Sequence, residues 1–142
     1  MFSHILLASD GSECSAQAAK FAAMLARKFS SQLTLVNVFL PMSYMPPYGE
    51  LSNVGLDEQY RADFQQNALC VAGRVADGLD VPYQCRKLLG DPAEEIIRAA
   101  KTEACDLIVL GSRGLNGLQS VLRGSVADHV THHAHCPVLV IR

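Results

Sequence analysis

The sequence predicts an α/β domain: one doubly wound, five-stranded parallel sheet in the order 3-2-1-4-5, with helices on both faces. Three observations carry this. Short β-rich apolar runs alternate with helical patterns along the whole chain, as parallel sheets covered on both sides require. The 142 residues, 49% of them hydrophobic and 18% charged, suit one domain with a proper core. A glycine loop lies between the fourth run and the last helix, where open α/β sheets place their ligand loops. A single domain over residues 1–142 is expected, with no internal repeat or low-complexity tract.

Taken in order, Phe2 to Ala8 has the pattern of a first strand, and Ser15 to Phe29 of an alanine-rich helix, with Ala19, Ala22, Ala23, Ala26 and Phe29 at helical spacing. Gln32 to Phe39 is a β-branched strand. Leu40 to Gly55 contains Pro41, Pro46, Pro47 and Gly49 and is a long loop: a lid, an interface contact or a disordered connection. Asp57 to Ala76 is the second helix, starting near Leu56 and ending before Gly78. Val81 to Leu89 is the third strand. Asp91-Pro92-Ala93-Glu94 marks a helix start, with Asp as cap and Pro in the first turn, and that helix runs to about Glu103. Asp106 to Leu110, Val126 to His133 and Pro137 to Ile141 complete the series as strand, helix and strand.

The net charge of −2, with no run of Lys or Arg, argues against nucleic acid as a partner. No apolar stretch approaches the roughly 20 residues of a membrane span. The first seven residues lack a basic region and a cleavage site, so a strand is expected there, not a signal peptide, and a cytoplasmic location follows. Cys14, Cys70, Cys85, Cys105 and Cys136 are odd in number and widely spread, which speaks against a disulfide framework or a zinc site. Cys85 and Cys105 are expected to serve as small apolar residues.

The chemistry concentrates in Gly111-Ser112-Arg113-Gly114, nine residues, then Gly124-Ser125. Strand, glycine loop and helix make a phosphate site. Glycines let an anion approach the amides, and the free N–H groups and dipole of the helix start favour negative charge. The spacing is neither a Walker loop nor G-x-G-x-x-G. Histidines 129, 132, 133 and 135 cluster near the end of the last helix. His129 and His133 can share a face, but no carboxylate has catalytic metal-site spacing, so a solvent-facing helix end is expected.

Several segments agree on one family. Ile5-Leu6-Leu7-Ala8-Ser9-Asp10-Gly11-Ser12, Leu35-Val36-Asn37-Val38, Gly90-Asp91-Pro92, Asp106 through Gly114, Gly124-Ser125-Val126-Ala127 and the final Cys136-Pro137-Val138-Leu139-Val140-Ile141 together resemble the universal stress protein family. The glycine motif is that of its ATP-binding members and is intact here. The resemblance covers the whole chain.

The resemblance implies a bound adenine nucleotide, ATP or AMP. Ala8 and Ser9 would line the base and sugar pocket, with Asp10 near ribose and phosphates. Val38 would contact adenine, and Leu110 and Gly111 would continue that pocket. Arg113 and Gly114 would lie against ribose or phosphates. Gly124, Ser125, Val126 and Ala127 would hold the phosphates through backbone N–H groups and the Ser hydroxyl. Each position also has an ordinary use: Asp10 as a turn former, Arg113 as an exposed loop residue, Ser125 as a helix cap, Val38 as core.

The function expected is that of a cytoplasmic, ATP- or AMP-binding stress-response regulator. The alternatives are a slow Mg-dependent ATP hydrolase, with Asp10 holding the metal through Mg-ATP, or a nucleotide-free dimerisation module. No catalytic residue is assigned. The apolar final strand, at a sheet edge, predicts a homodimer through Val138 to Ile141, and the resemblance implies the same.

Overall fold

A computed structural model describes residues 1–40, 54–112 and 125–142. The order of elements is β1 (His4–Ala8), α1 (Glu13–Phe29), β2 (Gln32–Phe39), α2 (Val54–Gly78), β3 (Tyr83–Leu89), α3 (Pro92–Thr102), β4 (Leu107–Gly111), α4 (Ser125–His133) and β5 (Val138–Ile141). All pairings in the sheet are parallel and the order is β3-β2-β1-β4-β5. The expected architecture is the one observed.

Alternation along each strand builds two core layers. Ile5, Leu7, Leu33, Leu35 and Val109 face α1 and α2. Leu6, Val36, Ile108 and Leu110 face α3 and α4, against Ile96, Ala100 and Val130. Ile5, Leu6, Leu7, Leu35, Val36, Ile108 and Val109 are fully buried. Strands covered on both faces read as unbroken apolar runs, as here. Helix α1 meets the sheet through Ala18, Ala19, Ala22, Ala23 and Ala26, all buried.

Several boundaries differ from expectation by one to three residues. Ser12, not Ser15, opens α1: its hydroxyl accepts from the Ser15 amide at 3.1 Å. Asp91 caps α3 as expected, accepting from the Glu94 amide at 3.1 Å. Helix α2 begins at Val54 and runs through Gly78, so its first two residues lie inside the stretch expected to be loop. Residues 41–53, the rest of that stretch, lie outside the described residues. Among the described residues no helix is long and apolar enough to cross a membrane.

The amino ends of the strands are fastened by side chains. The Asp106 carboxylate accepts from the Ser3 and His4 amides at 2.7 and 3.0 Å. His4 Nε2 lies 2.8 Å from Thr34 Oγ1, and the Thr34 hydroxyl reaches Glu103 Oε2 at 3.1 Å. Arg86 Nε donates to Glu103 Oε1 at 2.8 Å. One cluster thus joins β1, β2, β3 and the end of α3.

Candidate nucleotide site

The order β2-β1-β4 puts the ends of β1 and β4 side by side, while their following helices leave to opposite faces. α1 joins α2 on one face and α4 joins α3 on the other. That divergence is the crevice where open α/β sheets take ligands. Ala8, Val38, Leu110 and Gly111 fall at the carboxyl ends of β1, β2 and β4, Asp10 lies just beyond β1, and Val126 of α4 packs against the same layer as Ala8, Val38 and Leu110.

After β1 the chain turns sharply. Gly11 has φ +83°, a conformation that residues with a Cβ rarely adopt, and a Cβ there would meet Ala68 of α2 at 3.5 Å. Asp10 Oδ1 accepts from the Ser12 amide at 2.9 Å, closing an Asx turn. Asp10 is therefore a turn former by observation. Among the described residues its second oxygen accepts no hydrogen bond, and the residue is half-buried.

Ser9 is buried, and each of its polar atoms has an internal partner. Its amide donates to Val36 O, its hydroxyl to Ala68 O at 3.1 Å, and its carbonyl accepts from Asn37 Nδ2 at 2.8 Å. The side chain points into the α1/α2 layer and braces the turn. Sequence reasoning passed over Asn37 and Gln65, which complete this brace. Asn37 is 1% exposed, and its Oδ1 has no partner among the described residues. Gln65 Nε2 donates to the Asn37 and Leu88 carbonyls at 3.3 and 3.0 Å. The available signal was an amide in the otherwise apolar Leu35-Val36-Asn37-Val38; a buried polar group in a strand needs partners.

Gly111 has a packing reason for being glycine. A Cβ there would lie 3.0 Å from the Cys14 backbone and 3.1 Å from its sulfur. The start of α1 thus rests directly on the end of β4, and Cys14 Sγ reaches Ile141 O at 3.1 Å. Val38 is half-buried and Leu110 is buried, both in the α3/α4 layer. Val126 packs against that layer and Ala127 is buried in it. Arg113, Gly114 and Gly124 lie outside the described residues, as does the Ser125 side chain.

Beside the start of α4 a shallow depression is lined by Asp91, Ala93, Glu94, Val126 and His129. Two carboxylates in its wall make it a poor seat for phosphate. His129 Nε2 lies 2.8 Å from Glu94 Oε1, so α3 supplies the carboxylate that local spacing did not offer. The His129 and His133 rings stack at 4.3 Å. Among the described residues no group of three or more ligating side chains could hold a metal. Cys105 is buried as expected, and burial, with nearby Glu103, pushes its thiol up to about 12. Cys85 is exposed, which corrects the expectation of an apolar role. β3 is an edge strand.

The sequence model of the Universal stress protein family matches residues 1–142. Universal stress protein MJ0531 of Methanocaldococcus jannaschii is 36% identical, over 100% of this chain and 83% of its own length. The structure of universal stress protein UspA from Lactobacillus plantarum superposes with a TM-score of 0.82 at 28% identity, over 99% of this chain and 97% of that one. A universal stress protein in complex with cAMP has a TM-score of 0.74 at 24% identity, covering 99% and 97%. The chain belongs to the universal stress protein family.

Proposed function

We propose that this protein is an adenine-nucleotide-binding regulator of the stress response, acting in the cytoplasm, with ATP or AMP as its ligand. What supports this reading is that β1 and β4 end side by side, with the Ser9–Ser12 turn after β1, and that Val126 of α4 packs against the same layer as Ala8, Val38 and Leu110. Phosphates would sit on the amides of Ser125, Val126 and Ala127, approached through Gly114 and Gly124. The adenine would lie against Val38, Ala8 and Leu110. That a family member forms a complex with cAMP supports an adenine ligand. The deciding experiment is mass spectrometry of ligand retained by the purified protein, followed by calorimetry with ATP and AMP. Binding of neither would refute the reading.

Asp10 favours one alternative, slow Mg-dependent hydrolysis. Its second carboxylate oxygen accepts no hydrogen bond among the described residues, which leaves it open to a metal on the nucleotide. Phosphate release that vanishes in Asp10→Ala, while ATP still binds, would establish that activity.

The same reading includes a homodimer through β5. This strand is a sheet edge of four apolar residues, Val138 to Ile141. Cys14 of α1 touches β5, and residues seven and eleven further on share its side of the helix. Those residues are Phe21 and Leu25. Phe21 is 46% and neighbouring Met24 is 51% exposed, so apolar surface adjoins an unpaired edge. Sedimentation should show a dimer, and Val140→Lys should dissociate it. A wild-type monomer at micromolar concentration would refute the proposal.

A further inference from the structure

Four of the five cysteines, scattered in sequence, form two neighbourhoods in space. Cys105 and Cys136 belong to the α3/α4 core layer. Cys70 on α2 and Cys85 on β3 are both exposed.

Helix α2 runs antiparallel to β3 across its face, and contacts on both sides of the cysteines fix the alignment. Gln65 Nε2 reaches Leu88 O at 3.0 Å, and Lys87 Nζ donates to Gln66 Oε1 at 2.9 Å. Further along, the Tyr83 hydroxyl reaches Asp77 Oδ2 at 3.4 Å and lies so near Gly73 that a Cβ there would meet it at 2.6 Å. Between these anchors, three residues of strand from Leu88 to Cys85 span about 10 Å. A helix covers that rise in about six to seven residues. Counting from Gln65 leads to the turn that carries Cys70. The Gln66 amide bridges the same gap, accepting from Lys87 and donating to Cys70 Sγ at 3.3 Å. Cys85 faces this helix: it pairs with Leu35, a residue of the α1/α2 layer, and follows Tyr83 by two positions on that side.

We propose that Cys70 and Cys85 are a reversible dithiol–disulfide pair, closed by hydroperoxides, that ties α2 to the edge strand β3. The Cys70 thiolate attacks one peroxide oxygen. An S–O bond forms, the O–O bond breaks, and the departing oxygen takes a proton and leaves as water from hydrogen peroxide, or as the alcohol from an alkyl hydroperoxide. The Cys85 sulfur then attacks the Cys70 sulfenic acid. An S–S bond forms, the S–O bond breaks, and the thiol proton leaves with the hydroxide as water. Two thiols lose two electrons and the peroxide gains them. Burial, then Cys70, push the Cys85 thiol up, against the opposing pull of Lys87 and Arg86. Cys85 is thus the poorer first nucleophile and suits the resolving role. The bond would form two residues from Ala68, whose carbonyl holds the Ser9 hydroxyl and whose Cα backs Gly11. Formation of the pair does not depend on nucleotide binding.

The test uses the full chain treated with hydrogen peroxide, then alkylated and digested with trypsin. Cleavage at Arg61, Arg74 and Arg86 puts the two cysteines on separate peptides, 62–74 and 75–86. The expected product is these peptides joined, lighter by two hydrogens, and separated again by dithiothreitol. In Cys85→Ser, Cys70 should stop at a sulfenic acid trapped by dimedone; in Cys70→Ser, Cys85 should stay alkylatable. Unlinked peptides with both thiols alkylated, Cys70 carried to the sulfinic acid in the wild type, or links only between two chains would each overturn the proposal.

Discussion

At the amino ends of the strands, charged side chains bind each element to the next; at the carboxyl ends, among the described residues, the turn after β1 and the end of β4 are built on glycines, over a brace of uncharged polar side chains. Glu103 alone gathers Thr34 of β2 and Arg86 of β3, with His4 of β1 adjoining, and Asp106 holds the amides before β1. At the opposite end the residues are Gly11, a half-buried Asp10 spent on a turn, and Gly111 with no side chain. One end ties the strands together through charged side chains, and the other, among the described residues, sets a glycine turn on the buried Ser9, Asn37 and Gln65 brace. Sites are commonly borne on such loops above a rigid scaffold. The contrast teaches that substitutions at the two ends should separate: binding lost without stability at one, stability lost without binding at the other.

The largest effect expected is at the carboxyl end. Gly124→Val should weaken ATP by about a hundredfold, about 2.8 kcal/mol, because a branched side chain blocks close approach to the amides. Gly114→Val should act likewise. Calorimetry measures affinity and thermal unfolding measures stability. Unchanged affinity in both variants would remove the assigned phosphate site, and a matching loss of stability would erase the distinction between the ends.

The converse test is Glu103→Ala. It removes the acceptor of the buried Thr34 hydroxyl and of Arg86, and about 2 kcal/mol of stability should go with it. Glu103→Gln, which keeps an acceptor, should cost less. Nucleotide affinity, measured well below the unfolding temperature, should not change in either variant. A large loss of affinity would mean that the two ends are coupled through the sheet.

These ends were not equally legible in the sequence. The fold was, because buried parallel strands announce themselves as apolar runs and Asp91-Pro92 as a helix start. Gly111 was legible too, since few uses of a backbone demand glycine at a strand end. What escaped was everything fixed by contact across long separations. Glu103 meets Thr34 from 69 positions away, and His4 meets it from 99. No local pattern marks such partners. Asn37 and Gln65 escaped for the same reason, being 28 apart. The start of α2 was missed because Pro and Gly before it read as loop, while Val54 and Gly55, weak helix formers, are carried by the long helix behind them.

A smaller effect tests the amino end by pH. Burial works against the Asp106 charge, but the Ser3 and His4 amides outweigh it, and the carboxyl sits below its ordinary value. The folded state therefore binds fewer protons than the unfolded state in acid. Its contribution is complete above about pH 4, the unfolded value, and fades as pH falls through the lowered folded value. Asp106→Asn should cost about 1 kcal/mol at neutral pH, given partial solvent screening. The difference from wild type should shrink as pH drops below about 4. A deficit independent of pH would show that packing, not the charge, accounts for it.

The smallest effect expected is a gain, at the same end. Helix α3 closes with the Cys105 amide on Ala100 O at 2.8 Å and the Ala104 amide on Lys101 O at 3.2 Å. This is the Schellman arrangement, in which glycine ordinarily occupies the left-handed position. Here that position is Ala104, with φ 53°. A Cβ in this conformation costs about 1 kcal/mol, part of which glycine returns through its greater freedom when unfolded. Ala104→Gly should therefore raise stability by about 0.5 kcal/mol. Chemical denaturation is the fitting measurement, because the midpoint should move while the slope stays fixed. Nucleotide affinity should be the same as in the wild type. A loss of stability would show that the Ala104 methyl packs against the end of α3 strongly enough to outweigh its backbone strain.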